Sequence, residues 1–287
     1  MSYVIYTDSA CDISPEVLAE WGVPYLSLTF RFDGEDREYG NGDMAVDAFY
    51  NKMKKGGVAK TAAINAETFK EQFSKALDEG KDVLYLGFSG GLSTTYQSAC
   101  IAATELREVY PERKVLTVDS LCASAGQGLL LFLAVQEKNK GASVEKVAAF
   151  AENNKLHICH WFTVDDLVYL KRGGRVSPTV AFVGNMLGIK PVLHVDDEGH
   201  LVSMSKVRGR KAAIAALAAK YTELATDVKD NTVYISHGDC EGDALLLADI
   251  IEQKHGVKTE IITYVGPVIG AHSGPGTLAL FFVGKER

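Results

Sequence analysis

Apolar runs that end in small polar residues alternate with amphipathic segments along the first half of the chain. Tyr3–Thr7 stops at Asp8-Ser9, and Lys114–Val118 stops at Asp119-Ser120. Buried parallel strands have this form, because both of their faces are covered and polar residues appear where the strand ends. Between such runs, Asn65–Leu77 repeats its apolar residues at helical spacing. The alternation predicts a parallel sheet with helices packed on it.

The pattern changes near residue 157. His157–Val164, Pro191–Val195 and Leu201–Val207 are extended apolar runs, and the turn Asp196–Gly199 predicts that the last two form a hairpin. A chain of 287 residues is long enough for two ordinary domains. We therefore expect a two-domain α/β protein. Residues 1–155 would form a Rossmann-like parallel sheet with helices, and residues 156–287 an α+β domain with a more antiparallel sheet.

Charge and composition narrow the function classes. The net charge of −7 argues against general nucleic-acid binding. No apolar run reaches the roughly 18 residues of a transmembrane helix, and Met1–Tyr6 lacks the basic start of a signal peptide. The five cysteines are odd in number and scattered, which is typical of reduced thiols. We expect a cytoplasmic protein without a transmembrane segment or a nucleic-acid partner.

The most informative segment is Gly87–Gln97, which reads Gly-Phe-Ser-Gly-Gly-Leu-Ser-Thr-Thr-Tyr-Gln. It joins the apolar run Val83–Leu86 to a helix that we predict from Ser98. The first N–H groups of a helix have no partner within the helix, and the helix dipole favours negative charge there. Ser93 and Thr94 add hydroxyl donors. The segment predicts a site for a carboxylate or phosphate, the alternative being that these hydroxyls only cap the helix.

Three other segments carry weaker signals for the same chemistry. Thr61 follows a lysine in a Gly- and Ala-rich stretch, and its hydroxyl could join an anion site. Lys171–Arg175 places two arginines around two glycines, which suits a grip on a phosphate, a carboxylate or an acidic partner. Gly270–Gly276 is predicted as a Gly-rich loop around His272, which can donate to an anion. Solvated turns and a structural histidine are the alternatives.

Two patterns suggest other chemistry. Gly87–Gly91 matches the G-x-S-x-G turn of hydrolases, so a serine hydrolase that uses Ser89 with His272 is an alternative function. His157–His160 contains two histidines and a cysteine, but alternate residues of a strand face opposite sides and no fourth ligand is apparent. We therefore predict no metal site.

Five segments of the chain form a set of motifs in a fixed order: Tyr6–Asp12 (T-D-S-x-x-D), Ser89–Ala99 (S-S-G-L-S-G-T-Y-Q-S-A), Thr117–Ser120 (a strand ending in D-S), Tyr169–Ser177 (Y-L-x-R-G-G-R-I-S) and Gly270–Gly276 (G-x-H-T/S-G-P-G). In these motifs and their order, the chain resembles the DegV family of bacterial fatty-acid-binding proteins over nearly its whole length. It departs from the family in two places. Thr94 and Gly90 stand where the family commonly has Gly and Ser, and Ala62-Ala63 follow Thr61 where it usually has S-Q.

The resemblance implies a binding protein rather than an enzyme, with one long-chain fatty acid in a tunnel between two α/β domains. It implies that Ser93, Thr61 and His272 bind the carboxylate, with Thr94 beside them. Some members present that carboxylate to a separate ATP-dependent kinase subunit, which makes acyl phosphate for phospholipid synthesis. Arg172 would serve the phosphoryl transfer or the docking of the kinase. The fatty acid is the expected ligand, and no cofactor is expected.

Overall fold

The structure, a computed structural model, describes residues 2–176 and 188–287. Ser177, the last residue of the fourth motif, lies outside the described residues. The strands are β1 (Tyr3–Asp8), β2 (Tyr25–Leu26), β3 (Thr29–Phe32), β4 (Tyr39–Gly40), β5 (Ala59–Ala62), β6 (Asp82–Gly87), β7 (Val115–Asp119), β8 (Ile158–Thr163), β9 (Ile189–Val195), β10 (Leu201–Arg208), β11 (Val233–His237), β12 (Thr259–Tyr264) and β13 (Leu278–Val283).

The helices lie between these strands, as the alternating pattern predicts. They are α1 (Pro15–Glu20), α2 (Val46–Lys54), α3 (Ala66–Asp78), α4 (Thr95–Val109), α5 (Ala125–Asn139), α6 (Val144–Asn154), α7 (Val168–Arg172), α8 (Arg210–Leu224), α9 (Glu241–His255) and α10 (Pro267–Ser273). Predicted helix ends at three places are confirmed. Ser14 and Asn65 accept hydrogen bonds from the first turns of α1 and α3, and Gly256 ends α9 in the left-handed conformation.

The first sheet is parallel throughout, in the strand order β2-β1-β6-β7. Alternate residues of its central strands face two different cores. Ile5 and Leu84 pack with α5 and α6, whereas Tyr6 and Tyr85 pack with α3 and α4. Both faces of the sheet are therefore covered by helices, which confirms the predicted parallel α/β architecture.

The second sheet has six strands in the order β10-β9-β8-β13-β11-β12. Four of its five strand pairs are antiparallel, and β9 and β10 form the predicted hairpin. Helices α8 and α9 cover one face. The other face packs against α5, because Leu129 and Phe281 belong to one continuous core. The mostly antiparallel second sheet is confirmed, while the domain boundary near residue 155 stays a prediction.

Three local predictions are wrong. The run Val23–Phe32 is two strands, since β2 pairs with β1 while β3 joins a small antiparallel sheet with β4 and β5. Buried side chains continue to alternate with more exposed ones from β2 into β3. The apolar pattern therefore does not reveal that the two strands pair with different neighbours. The segment Gly270–Gly276 is not a loop throughout, because α10 continues to Ser273. Helix α4 begins at Thr95, not Ser98.

Candidate functional site

A cavity of about 480 Å³ lies between the second sheet and the loops that follow β6 and β7. Part of its wall is one sheet face, where Phe162, Ala279 and Ser236 are neighbours across β8, β13 and β11. This volume is ordinary for a small-molecule site, and most of the lining is apolar. Apolar residues of the wall include Leu28, Phe88, Leu92, Val195, Val268 and Phe281.

The four residues expected at a carboxylate site all line this one cavity: Thr61, Ser93, Thr94 and His272. Two of them are in direct contact, since Thr61 Oγ1 lies 2.8 Å from His272 Nε2. They come from three separate parts of the chain, namely β5, the end of the loop between β6 and α4, and the end of α10. The fold therefore gathers them into one polar cluster on an otherwise apolar wall.

Helix α10 positions His272. Pro267 opens the helix, and the backbone N–H groups of its first residues are bonded by side chains from the first half of the chain. Gly266 N–H donates to Asp12 Oδ1 (2.9 Å), and Val268 N–H donates to Asn41 Oδ1 (3.0 Å). The helix packs against α2, α7, β3 and β5, which brings its last turn beside Thr61.

The imidazole of His272 is neutral over most of the pH range. Burial, and secondarily the positive charge of Arg175, lower its pKa to about 4. Its Nδ1 has no hydrogen-bond partner among the described residues and faces the backbone of Gly173. A neutral imidazole at this point can donate one hydrogen bond without bringing a charge of its own.

We expect the pKa of His272 to depend on the ligand. Without a ligand, the pKa of about 4 lies below the usual value of 6.5. The free energy of unfolding therefore falls by up to about 3 kcal/mol as the pH is lowered from 6.5 to about 4. A bound carboxylate would raise the pKa and reduce the loss. Proton NMR titration of the imidazole with and without stearic acid measures the shift. An equal pKa in both states would contradict a carboxylate at this residue.

Two carboxylates, the fully buried Asp8 and the half-buried Asp119, organise the loop that carries Ser93. Asp8 Oδ2 accepts from the N–H of Phe88 (2.9 Å), and Asp119 accepts from the N–H of Gly90 (3.1 Å). Both aspartates end parallel strands, where ligand-binding groups are also expected. Neither lines the cavity, and they instead fix the path of the loop.

The hydroxyl of Ser93 has the capping role, and its position leaves it available for the anion-binding role that stays a prediction. It accepts a bond from Thr95 N–H (3.2 Å) at the start of α4, and it also lines the cavity. Among the described residues, the N–H groups of Thr94, Tyr96 and Gln97 donate no hydrogen bond within the protein. The start of α4 therefore keeps unpaired donors and positive dipole charge next to the cavity.

The segment Lys171–Arg175, which we call the basic turn, has two arginines that lie in different places. Arg172 is exposed, does not line the cavity, and packs its guanidinium 5.7 Å from the ring centre of Tyr169. Arg175 is half-buried, lines the cavity and donates from Nε to the carbonyl of Leu92 (3.0 Å). The sequence shows both arginines but does not distinguish them. The positive charge at the cavity is that of Arg175, and the role of Arg172 stays a prediction.

The two glycines between these arginines are needed for different reasons. A Cβ on Gly173 would overlap His272 Nδ1, whereas Gly174 has open space around it but a left-handed φ of 67°. We expect Gly173→Ala to displace His272 and weaken ligand binding about tenfold. Gly174→Ala, the control, should cost about 1 kcal/mol of stability and leave binding unchanged. Calorimetric titration and thermal unfolding of both variants test this, and equal affinities would contradict it.

The arrangement for a serine hydrolase does not form. Ser89 is fully buried, does not line the cavity, and donates its hydroxyl to the carbonyl of Gly199 (3.0 Å). Among the described residues, Ser89 forms no hydrogen bond with His272, whose Nε2 contacts Thr61 instead. Ser89 thus ties the loop after β6 to the hairpin turn of the second sheet.

His160 on β8 lines the cavity, but both of its ring nitrogens contact backbone groups. His160 Nε2 accepts from Ala123 N–H (3.3 Å), and its Nδ1 lies 2.9 Å from the carbonyl of Ile158. Within residues 2–176 and 188–287, no cluster of three or more potential metal ligands is present. In the same part of the chain, no helix has the length and apolar character to cross a bilayer.

The fold and the cavity define an α/β ligand-binding protein, with an apolar pocket beside two sheets and a cluster of hydroxyls and imidazole on its wall. The family model described as "Uncharacterised protein, DegV family" matches residues 2–285. The chain belongs to the DegV family.

Relatives match over nearly their full length. A DegV domain-containing protein of Clostridium perfringens is 41% identical over 286 residues, which cover 99% of this chain and 98% of that protein. A structure described as fatty acid binding of a DegV family protein from Thermus thermophilus shares 30% identity and a TM-score of 0.89, covering 99% and 100% of the two chains. A stearic-acid-binding protein of Eubacterium ventriosum shares 25% identity and a TM-score of 0.88, covering 99% and 98%.

Proposed function

We propose that this protein binds a long-chain fatty acid, with the acyl tail in the apolar cavity and the carboxylate at Ser93, Thr61 and His272. The observation that carries the proposal is the contact between Thr61 Oγ1 and His272 Nε2, 2.8 Å apart, on the wall of an apolar cavity that Ser93 also lines. The relatives from Thermus thermophilus and Eubacterium ventriosum, described as binding a fatty acid and stearic acid, support it.

The polar cluster can satisfy a carboxylate, which is costly to bury unless several donors bond to it. With a hydrogen on Nε2, His272 donates to Thr61 and can share that hydrogen with a carboxylate oxygen beside Thr61, as in a bifurcated bond. The hydroxyl hydrogen of Thr61 is then left for the ligand. Ser93 and Thr94 add two hydroxyls, and the start of α4 adds unpaired N–H groups. Arg175 supplies a full positive charge on the same wall. A carboxylate would therefore exchange water for directed donors and a counter-charge.

The apolar walls of the cavity would bind the acyl tail of the ligand. Burying a methylene group contributes about 0.8 kcal/mol, so a long acyl chain supplies most of the binding free energy and the polar cluster fixes its direction. A short carboxylate such as acetate would gain the polar contacts without the tail. The site is thus suited to a fatty acid rather than to a small anion.

Thr94 is exposed and also lines the cavity, so the polar cluster lies near the surface, where a partner could reach the carboxylate. In this proposal a separate ATP-dependent kinase, acting in the cytoplasm, brings ATP to the carboxylate. A carboxylate oxygen bonds to the γ-phosphorus of ATP, and the bond from that phosphorus to the oxygen bridging it to the β-phosphate breaks. ADP departs, and the product is acyl phosphate, which is used for phospholipid synthesis. Arg172 is exposed on the turn whose other arginine lines the cavity, which supports a role in docking or phosphoryl transfer. The protein itself would be the binding subunit, without a cofactor.

Native mass spectrometry of the purified protein, followed by extraction of any bound molecule, tests the proposal. We expect one fatty acid per chain, either copurified or taken up when offered. Acetate should not bind at comparable concentrations. A protein that remains empty in the presence of long-chain fatty acids would contradict the proposed function.

A further inference from the structure

A second group of buried polar side chains reaches the same cavity. Ser124 Oγ donates to Asp12 Oδ2 (2.5 Å) and lies 2.9 Å from Ser236 Oγ. Asp12, Ser124 and Ser236 are only 6%, 5% and 0% exposed to solvent, and the two serines line the cavity. Among the described residues this group shares no hydrogen bond with the pair Thr61 and His272. It is a separate polar feature of the cavity wall.

The position of Ser236 is unusual for a wall that contacts an acyl tail. Its neighbours across β13 and β8 are Ala279 and Phe162, and both line the cavity with it. An apolar residue at position 236 would pack against a hydrocarbon chain equally well. A hydroxyl that meets only hydrocarbon leaves part of its hydrogen-bonding capacity unused in a buried place, which is costly.

The hydrogen-bond directions show what Ser236 can offer. Burial raises the pKa of Asp12 to about 7, while Ser124 and the N–H of Gly266 stabilise its ionised form. When Asp12 is ionised, Ser124 donates to it and Ser236 donates to Ser124, so Ser236 has lone pairs and no hydrogen left for the cavity. The complementary ligand group is therefore a neutral donor such as a hydroxyl.

We infer that Ser236, oriented by Ser124 and Asp12, binds a hydroxyl group on the acyl chain, so that hydroxylated fatty acids are ligands of this cavity. The inference rests on the proposed function and adds to it a second point of recognition along the tail. A ketone at the same carbon accepts hydrogen bonds but donates none. It would meet the lone pairs of Ser236 without a hydrogen between them, so the site distinguishes the two groups.

Calorimetric titration at a pH well above 7, where Asp12 is ionised, tests the inference. The probes are stearic acid, a series of stearic acids with one hydroxyl at successive mid-chain carbons, and the matching ketones. We expect one hydroxyl position to bind about tenfold or more tightly than the other positions and than its own ketone, because only that hydroxyl finds a partner. Equal affinities for all positions would overturn the inference.

Variants separate this site from the carboxylate site. Ser236→Ala should remove the advantage of the favoured hydroxyl position over the other positions, over its ketone and over stearic acid. Ser93→Ala, the control, should weaken all ligands by a similar factor and preserve the ratio between them. Ser124→Gly, which tolerates the left-handed φ of 53° at that position, is a second way to release Ser236 if Ser236→Ala does not fold. A preference that survives both changes would overturn the inference.

The two claims fail in different ways. Binding of stearic acid without any preference among hydroxyl positions overturns the role of Ser236 alone. Absence of binding of stearic acid and of every hydroxylated form overturns the proposed function, and this inference with it.

Discussion

Replacing Ser93 with alanine and Thr61 with valine together should weaken stearic-acid binding at least a hundredfold. A hydrogen bond to a charged group contributes about 1.5–3 kcal/mol, and this double variant removes two donors from a buried carboxylate. The shape of the apolar cavity should be kept, because both residues keep nearly the same volume. Loss of the bond from Thr95 N–H to Ser93 should lower the free energy of unfolding by about 1 kcal/mol without preventing folding. Calorimetric titration, with thermal unfolding as the check of folding, measures both effects.

The methyl ester of stearic acid is the matched ligand control for the double variant. The ester keeps the tail and has no negative charge, so it gains little from Ser93 and Thr61. We expect wild type and variant to bind the ester with similar, weak affinity. A similar loss for the acid and the ester would mean that the substitutions damaged the cavity and that these hydroxyls do not recognise the carboxylate.

The second large effect concerns the two arginines of the basic turn. Arg172→Ala should leave fatty-acid affinity unchanged but reduce kinase-dependent formation of acyl phosphate at least tenfold, because the exposed guanidinium does not touch the cavity. Arg175→Ala should instead weaken binding of the fatty acid itself, since Arg175 is the charge on the cavity wall. Comparing these two variants therefore separates binding of the fatty acid from transfer of the phosphoryl group.

The measurement for the arginines combines binding with turnover. Affinity is measured by calorimetry, and acyl phosphate is measured with radiolabelled ATP and an ATP-dependent fatty acid kinase. The lysine variants, Arg172→Lys and Arg175→Lys, show whether charge alone is sufficient. Equal loss of affinity in Arg172→Ala and Arg175→Ala would contradict the separation of roles.

Local patterns in the sequence predict the parts of the structure that depend on neighbouring residues. The loop around Ser93 is recognisable because the strand before it and the helix after it are contiguous. The hairpin of β9 and β10 has its turn between the two strands for the same reason. In these cases a short stretch of sequence contains both the structure and its physical cause.

The remaining features depend on contacts between distant residues. Thr61 and His272 lie 211 positions apart, and no spacing rule connects them; only the resemblance to the family brings them together. The loop predicted around His272 is part of helix α10, in which Gly270 approaches Tyr50 so closely that a Cβ would lie 2.6 Å from its hydroxyl oxygen. That glycine serves packing, whereas in sequence it suggests a loop.

The distinction between Arg172 and Arg175 has the same origin. Both arginines have the same chemistry and stand three positions apart in one motif. Which of them faces the cavity is decided by where α7 ends and by the contact between Gly173 and His272. The chain of Asp12, Ser124 and Ser236 also joins three distant segments, so no single motif predicts it.

A crystal structure of the protein with stearic acid tests the central claim most directly. We predict the acyl chain in the cavity of about 480 Å³ and the carboxylate oxygens within hydrogen-bonding distance of Ser93, Thr61 and His272. A carboxylate bound at another wall of the cavity, or a fatty acid bound outside it, would contradict the account.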